Sequence, residues 1–250
     1  MSNKLHYLLF FCLIVGTHTS FANASLSLHI NTSEGGDISK RKSQMLIDYL
    51  TNNDCEITSI TSENSNSIPS KASFLFLPLE QAVVEGYSKI ANINVINDEK
   101  LSASILVRGS TGITNISSLE GVHIALFPTK SIIGYQLPQA LFDDVNIVHS
   151  DERITSVQTN LAAVSLLLHK DVFTAAIATP LAKKWAASND LTIVATSATV
   201  DPGSIWAHKT VPHKAANACA QALSLLNKAN NKKLLMLFPA WVNGFRYINH

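Results

Sequence analysis

The sequence predicts an α/β protein in which two mostly parallel sheets, each flanked by helices, form two lobes joined by a two-strand hinge. Short apolar runs alternate with amphipathic segments, as expected of parallel strands connected by helices. The run Val122–Phe127 is apolar at nearly every position, which is typical of a strand buried on both faces. The strand predicted over Leu101–Val107 follows another strand without an intervening helix, so we expect the chain to enter a second sheet there.

The first 24 residues have the features of a signal peptide. Lys4 provides a positive charge, the stretch from Tyr7 to Val15 is apolar, and Ala22-Asn23-Ala24 fits the small-x-small cleavage pattern. The apolar stretch is shorter than a comfortable membrane span, although an uncleaved anchor is the alternative. We predict that residues 1–24 are removed and that the protein is exported.

The first lobe is predicted to comprise residues 25–100 and 200–250. Its first strand alternates with period two, and its third is a short apolar run that ends at Pro78. The loop Asn31–Asp37 separates the first strand from the first helix. The predicted elements are the strands Ser25–Ile30, Cys55–Ile60, Phe74–Leu77, Asn92–Asn97 and Ser204–His208, and the helices Ile38–Leu50, Pro78 to Tyr87 or beyond, Ala215–Asn227 and Lys232–Phe238.

The second lobe is predicted to comprise residues 101–199. Ser117 or Ser118 can cap a one-turn helix that ends at Gly121, and Ser131 can cap the helix that carries Gly134. The other predicted elements are the strands Leu101–Val107, Val122–Phe127, Val145–Val148, Thr174–Ala178 and Leu191–Val194, and the helices Ser156–His169 and Pro180–Ser188.

Composition and motifs exclude several classes of function. The chain has 19 Lys and Arg against 18 Asp and Glu and no long charge run, which argues against a nucleic-acid partner. The sequence contains no G-x-S-x-G elbow, P-loop, G-x-G-x-x-G or H-E-x-x-H motif. We therefore predict no catalytic residues, metal site or cofactor. Cys55 and Cys219 fall in the same predicted lobe and are either a disulfide or two buried thiols.

The loop after the strand Val122–Phe127 is the best candidate binding site. A strand, a loop and a helix beginning at Ser131 direct free backbone N–H groups, hydroxyls and the helix dipole at one point. This arrangement favours an anion or polar ligand. The alternative is an ordinary strand–helix turn with a satisfied cap.

The same region resembles a known family. Val107–Leu126 reads V-R-G-S-T-G-I-x-x-I-S-S-L-E-G-x-x-I-A-L, Ser131–Pro138 reads S-x-x-G-Y-x-x-P, and Asp201–Ala207 reads D-P-G-S-I-W-A. These motifs are similar to the SLxxLxGxxVA segment, the S-T-S-G-Y loop and the PPGPW return segment of phosphate/phosphite/phosphonate-type periplasmic substrate-binding proteins. The resemblance covers Phe74–Phe245. One departure concerns ligand binding: aligned on Gly134-Tyr135, the family's S-T-S becomes Ser131-Ile132-Ile133.

The resemblance implies a type II periplasmic-binding-protein fold and a role in ABC transport. It implies a periplasmic, non-enzymatic monomer that binds a small anionic or polar ligand between its lobes and closes about the hinge. Its partner would be an inner-membrane transporter permease; the alternative is a sensory or adaptor module that docks on a membrane signalling receptor. The loss of two hydroxyls predicts weak or absent affinity for phosphorus oxyanions. The implied ligand-binding residues are Thr129, Ser131, Gly134, Tyr135, Thr179 and Asp201, with Thr179 alternatively only capping the Pro180 helix.

Overall fold

The computed structural model describes residues 25–36, 38–63, 72–79 and 83–248 of the chain. The signal peptide predicted over residues 1–24 lies outside these residues. No helix among the described residues is both long enough and apolar enough to cross a membrane.

The first lobe is built on a six-stranded sheet. In sheet order, its strands are β11 (Val242–Tyr247), β4 (Tyr87–Val95), β10 (Gly203–His208), β3 (Phe74–Pro78), β1 (Leu26–Asn31) and β2 (Ile57–Glu63). Strand β1 pairs in parallel with β2 and β3, whereas β10 runs antiparallel between β3 and β4, and β11 is antiparallel to β4. The sheet is therefore mixed, because the strand that returns from the second lobe inserts between two strands of the first.

The second lobe is built on a five-stranded sheet. In sheet order, its strands are β7 (Ile154–Ser156), β6 (Ile124–Leu126), β8 (Thr174–Ala178), β5 (Ala103–Arg108) and β9 (Leu191–Thr196). Strand β6 lies between β7 and β8 and is parallel to both, and β5 is antiparallel to both β8 and β9.

Six α-helices of the described residues pack on these sheets. The first lobe carries α1 (Lys40–Thr51), α5 (His213–Ser224) and α6 (Lys232–Leu235), and the second carries α2 (Leu137–Asp143), α3 (Asn160–Leu168) and α4 (Thr179–Ser188). The amphipathic helices α1 and α5 each bury one face against the first sheet, and the nearly all-apolar α3 covers the second.

Two antiparallel segments connect the lobes. One leads from β4 into β5 and the other from β9 into β10, and they form a bridge between Leu101 and Val200. One hydrophobic cluster continues from Phe76 and Phe238 in the first lobe to Phe127 and Ile133 in the second. The lobes are thus in direct apolar contact. The domain boundaries at residues 100/101 and 199/200 stay a prediction.

Three local predictions are wrong. The helix predicted from Pro78 to Tyr87 or beyond is not formed by described residues 83–86, and Tyr87 already begins β4.

The second wrong prediction is the strand over residues 145–148. Within these residues, Asn146 has a left-handed φ of 59°, and the N–H groups of Val145 and Ile147 bond to the carbonyl of Phe142 at the end of α2. They are unavailable to a strand ladder, so the strand predicted over these residues is absent.

The third correction concerns the cap of the short helix predicted near Gly121. The helical turn is Ile116–Leu119, and the Asn115 side chain caps it by accepting from the N–H of Ser117 at 2.6 Å. Ser117 therefore lies inside the turn rather than before it.

Cys55 and Cys219 form a disulfide, which resolves the two alternatives left by the sequence. The bond joins the segment just before β2 to helix α5, and the two cysteines are 164 residues apart in the sequence. Both cysteines are buried in the core of the first lobe.

We predict that replacing Cys55 and Cys219 together by Ser will lower the free energy of unfolding by about 2–5 kcal/mol, because the unfolded chain regains the entropy that the cross-link removes. Urea unfolding of the oxidised wild type and the double variant measures this difference. Equal midpoints and slopes for the two proteins would contradict the prediction.

Candidate ligand-binding site

Ser131 marks the start of a helical segment in the second lobe. The chain leaves β6, turns at residues 127–130, and enters a π-helical turn, Ile132–Gln136, that runs directly into α2. Ser131 is extended, with φ −72° and ψ 125°, and its hydroxyl accepts from the N–H of Gly134 at 2.8 Å. The predicted N-cap is confirmed. Free N–H groups of the first turn point away from the segment, as at any helix start.

A carboxylate from the first lobe occupies this helix start. The Ser131 hydroxyl donates to Oε2 of Glu34 at 2.8 Å. The backbone N–H of Ile132 donates to Oε1 at 2.5 Å, and that of Ile133 donates to Oε2 at 3.2 Å. Three donors therefore hold both oxygens of one carboxyl group. We call the Ser131 hydroxyl and these two N–H groups the donor set.

Glu34 reaches the second lobe because of the loop that follows β1. The N–H of Ser33 bonds to Oδ1 of Asn31 at 2.8 Å, and the N–H of Gly35 bonds to the carbonyl of Thr32 at 2.9 Å, which forms a tight turn. Gly35 has φ 90°, where a side chain would be strained. A Cβ there would lie 3.4 Å from the carbonyl oxygen of Gln158 in the second lobe. The backbone angle of the turn that positions Glu34 therefore favours glycine, although the neighbouring lobe leaves room for a Cβ.

The environment of Glu34 opposes its ionisation. The residue is only 3% exposed. Burial raises the pKa of Glu34 from 4.5 to about 7, while the hydrogen bonds from Ser131, Ile132 and Ile133 pull the pKa down. Burial outweighs the donors, so the carboxyl group takes up a proton at a higher pH in the folded protein than in water.

We predict that this contact makes the protein less stable as the pH rises from 4.5 to 7. Below 4.5 the carboxyl is neutral in both states. Between pH 4.5 and about 7, Glu34 is ionised in the unfolded chain but still protonated in the folded protein. The free energy of unfolding therefore falls by up to roughly 3 kcal/mol by pH 8. The matched variant is Glu34→Gln, which keeps the size of the side chain but does not titrate.

Urea unfolding of the wild type and of Glu34→Gln between pH 4.5 and 8.5 checks this prediction. The free energy of unfolding of the wild type should fall relative to that of the variant as pH rises. A wild type that gains stability relative to the variant would show that the donor set outweighs burial.

Three other predicted ligand residues lie close to Ser131 in the chain. A Cβ on Gly134 would lie 2.3 Å from Cγ of Phe127, so glycine is required there for packing. Tyr135 is half-buried and packs against the hydrophobic cluster of the second lobe that contains Ile105. Thr129 is exposed, and its carbonyl accepts from the side chain of Gln136 at 3.2 Å. Their assignment to ligand binding stays a prediction.

Thr179 and Asp201 belong to separate hydrogen-bond networks. Oγ1 of Thr179 accepts from the Ser102 hydroxyl at 2.7 Å and lies 2.8 Å from the Ser104 hydroxyl, next to the hinge. The Thr179 side chain makes no capping bond to α4, which begins at this residue. Asp201 is exposed, and its Oδ1 accepts from the N–H of Gly203 at 2.7 Å. The described hydrogen bonds do not join either residue to Ser131.

Glu34 was not among the residues that the sequence suggested. A signal for it exists: in open α/β sheets, ligands bind in the crevice at the carboxyl ends of the strands. Glu34 lies in the loop at the carboxyl end of β1, and Ser131 follows the carboxyl end of β6. Among the described residues, no cluster of three or more His, Cys, Asp and Glu side chains is arranged to hold a metal ion.

Residues 81–250 match the family of periplasmic substrate-binding proteins of phosphonate ABC transporters. The chain belongs to this family. The match spans more than half of the chain and includes Ser131 and the helical segment that it caps. The family assignment, and with it a small-ligand-binding rather than an enzymatic role, confirms the prediction from the sequence motifs. No curated protein sequence matches the chain.

Solved structures confirm the two-lobed fold. The binding component of a phosphonate ABC transporter from Pseudomonas aeruginosa is similar, with a TM-score of 0.58 and 10% identity over 90% of this chain and 81% of that one. PhnD1 from Prochlorococcus marinus, in complex with methylphosphonate, has a TM-score of 0.58 and 8% identity over 90% and 93%. A protein from Xanthomonas citri bound to ATP has a TM-score of 0.56 and 14% identity over 90% and 91%. At these identities the likeness establishes the fold alone.

Proposed function

We propose that this protein binds a small oxyanion of the phosphonate class at the donor set and presents it to a membrane permease. The observation that carries the proposal is the Glu34 carboxylate, because its two oxygens are held by three donors at the start of the Ser131 helical segment. A phosphonate offers the same kind of acceptor, with one more oxygen and a greater charge.

The donor set favours an acceptor with negative charge, whereas burial of the site opposes that charge. Ser131 is fully buried and Ile133 is nearly so, which excludes competing water. The N–H groups of a first helical turn have no partners within the helix, and the helix dipole favours negative charge there. An oxyanion bound at this point would satisfy donors that otherwise need an acceptor from elsewhere in the chain.

We expect the affinity of the wild type for phosphonates to be weak. The residues after Ser131 are Ile132 and Ile133, which contribute backbone N–H groups but no hydroxyls. Lys130 is exposed and has no described bond to the site. Glu34 must also leave before a ligand can use the donor set.

The permease partner and the periplasmic location follow from what the family does. Export would depend on the signal peptide predicted over residues 1–24. A ligand between the lobes would stabilise the closed arrangement, and closure is the state that a membrane partner can distinguish from the open one.

A second candidate function is an adaptor that docks on a membrane signalling receptor. The Glu34 contact favours it, because a carboxylate from one lobe on the donor set of the other gives an arrangement with the lobes in contact and no free ligand. Genes for a permease and an ATPase beside the gene for this protein would favour transport, and a sensor kinase or cyclase gene would favour the adaptor.

We predict that adding Ser131→Ala to a Glu34→Ala variant, in which no carboxyl group of the chain shares this donor, will weaken methylphosphonate binding by at least tenfold, because it removes a buried hydrogen bond to a charged group, worth about 1.5–3 kcal/mol. Isothermal titration calorimetry measures the dissociation constant. Ser118→Ala is the matched control, since Ser118 is exposed. Equal affinity of the Glu34→Ala variant with and without Ser131→Ala would exclude the donor set as the binding site.

A further inference from the structure

We propose that Glu34 is a tethered competitor for the donor set and that it determines which ligands the protein accepts. This inference rests on the proposed function, because it assigns to the same site an occupant supplied by the chain itself. A free ligand then binds only if it displaces the Glu34 carboxylate.

Glu34 is not needed as an ordinary helix cap. The Ser131 hydroxyl already caps the segment by accepting from the N–H of Gly134. A local acidic residue in the first turn would also satisfy the helix dipole. Glu34 instead lies 97 residues before Ser131, in the other lobe, and its carboxyl group is buried at the site. Its contact therefore resembles that of a bound ligand.

Glu34 and a ligand exclude one another at the donor set. The hydroxyl of Ser131 has one hydrogen, and each of the N–H groups of Ile132 and Ile133 has one. All three are directed at the carboxyl oxygens of Glu34. A phosphonate that takes these donors leaves the Glu34 carboxyl without partners in a buried position, so the side chain must move out.

Displacement of Glu34 separates the loop after β1 from the second lobe. Gly35 packs close to the carbonyl oxygen of Gln158 and to the ring of Phe127. A Cβ on Gly36 would lie only 2.7 Å from the carbonyl oxygen of Leu237. The loop after β1 therefore also packs closely against the first lobe, to which it belongs. Withdrawal of Glu34 thus removes one contact between the lobes, and a ligand that takes its place on the donor set must supply a new contact for the lobes to close.

Competition of this kind selects among anions. A tethered group acts at an effective concentration on the order of millimolar or higher, so it raises the apparent dissociation constant of every ligand that needs the same donors. A simple carboxylate such as acetate offers the donors nothing that Glu34 lacks. A phosphonate has a third oxygen and more charge. We therefore expect methylphosphonate to compete and acetate not to compete.

Glu34→Ala removes the competitor, and Glu120→Ala is the matched control at an exposed glutamate of the second lobe. Methylphosphonate should bind Glu34→Ala at least tenfold more tightly than the wild type by calorimetry, whereas Glu120→Ala should bind like the wild type. If Glu34→Ala does not fold, Glu34→Gln retains one carbonyl oxygen and should show a smaller gain.

A second measurement needs no ligand. Amide hydrogen exchange, followed by NMR, should be at least tenfold faster at Ile132 and Ile133 in Glu34→Ala than in the wild type, because their described acceptor is Glu34. Methylphosphonate should restore the protection in the variant.

The outcomes separate the two proposals. Unchanged exchange at Ile132 and Ile133 in Glu34→Ala would overturn the tethered competitor, whatever the ligand does. Affinity that does not rise in Glu34→Ala but is lost in Ser131→Ala would overturn the competitor and support the oxyanion site. Binding of methylphosphonate and inorganic phosphate by none of the proteins, with faster exchange in Glu34→Ala, would overturn the oxyanion function.

Discussion

The contact between Glu34 and the start of the Ser131 helical segment is the constraint on which the arrangement of the two lobes depends. A carboxyl group that is almost fully removed from water is unfavourable unless donors replace its hydration. The second lobe supplies three such donors, and they are available only while the lobes are together. The Glu34 carboxyl group therefore has these donors only while the two lobes are in contact.

The topology of the two sheets makes this contact possible. In each lobe the strand next to an edge strand has parallel neighbours on both sides, β1 in the first and β6 in the second. Both strands direct the loops at their carboxyl ends toward the other lobe. The hinge segments, bridged at Leu101 and Val200, hold the sheets so that these loops meet. This placement brings the donor set at Ser131 and the carboxyl group of Glu34 together.

The sequence predicted correctly those features that depend only on neighbouring residues in the chain. The apolar runs identified β3, β6 and β8, and the hydroxyl of Ser131 was recognisable as a cap because capping depends on residues within one turn. The strand expected over residues 145–148 failed because the end of α2 takes their N–H groups. Glu34 was missed for a related reason. A glutamate in a polar loop looks solvent-exposed until the position of the other lobe is known.

The replacement of two family hydroxyls by Ile132 and Ile133 has a different meaning once the contact is known. A substitution changes the side chain but leaves the backbone N–H, and it is the N–H groups of these residues that bind the Glu34 carboxylate. The Ile133 side chain belongs to the core that spans both lobes and the Ile132 side chain packs against that core, which keeps water from the donors. Apolar residues here lower the number of donors but strengthen those that remain, because hydrogen bonds to a charge are stronger where water is excluded. The site thereby offers three donors to a group with few oxygens, and either a small oxyanion or the carboxyl group of the chain itself can accept them.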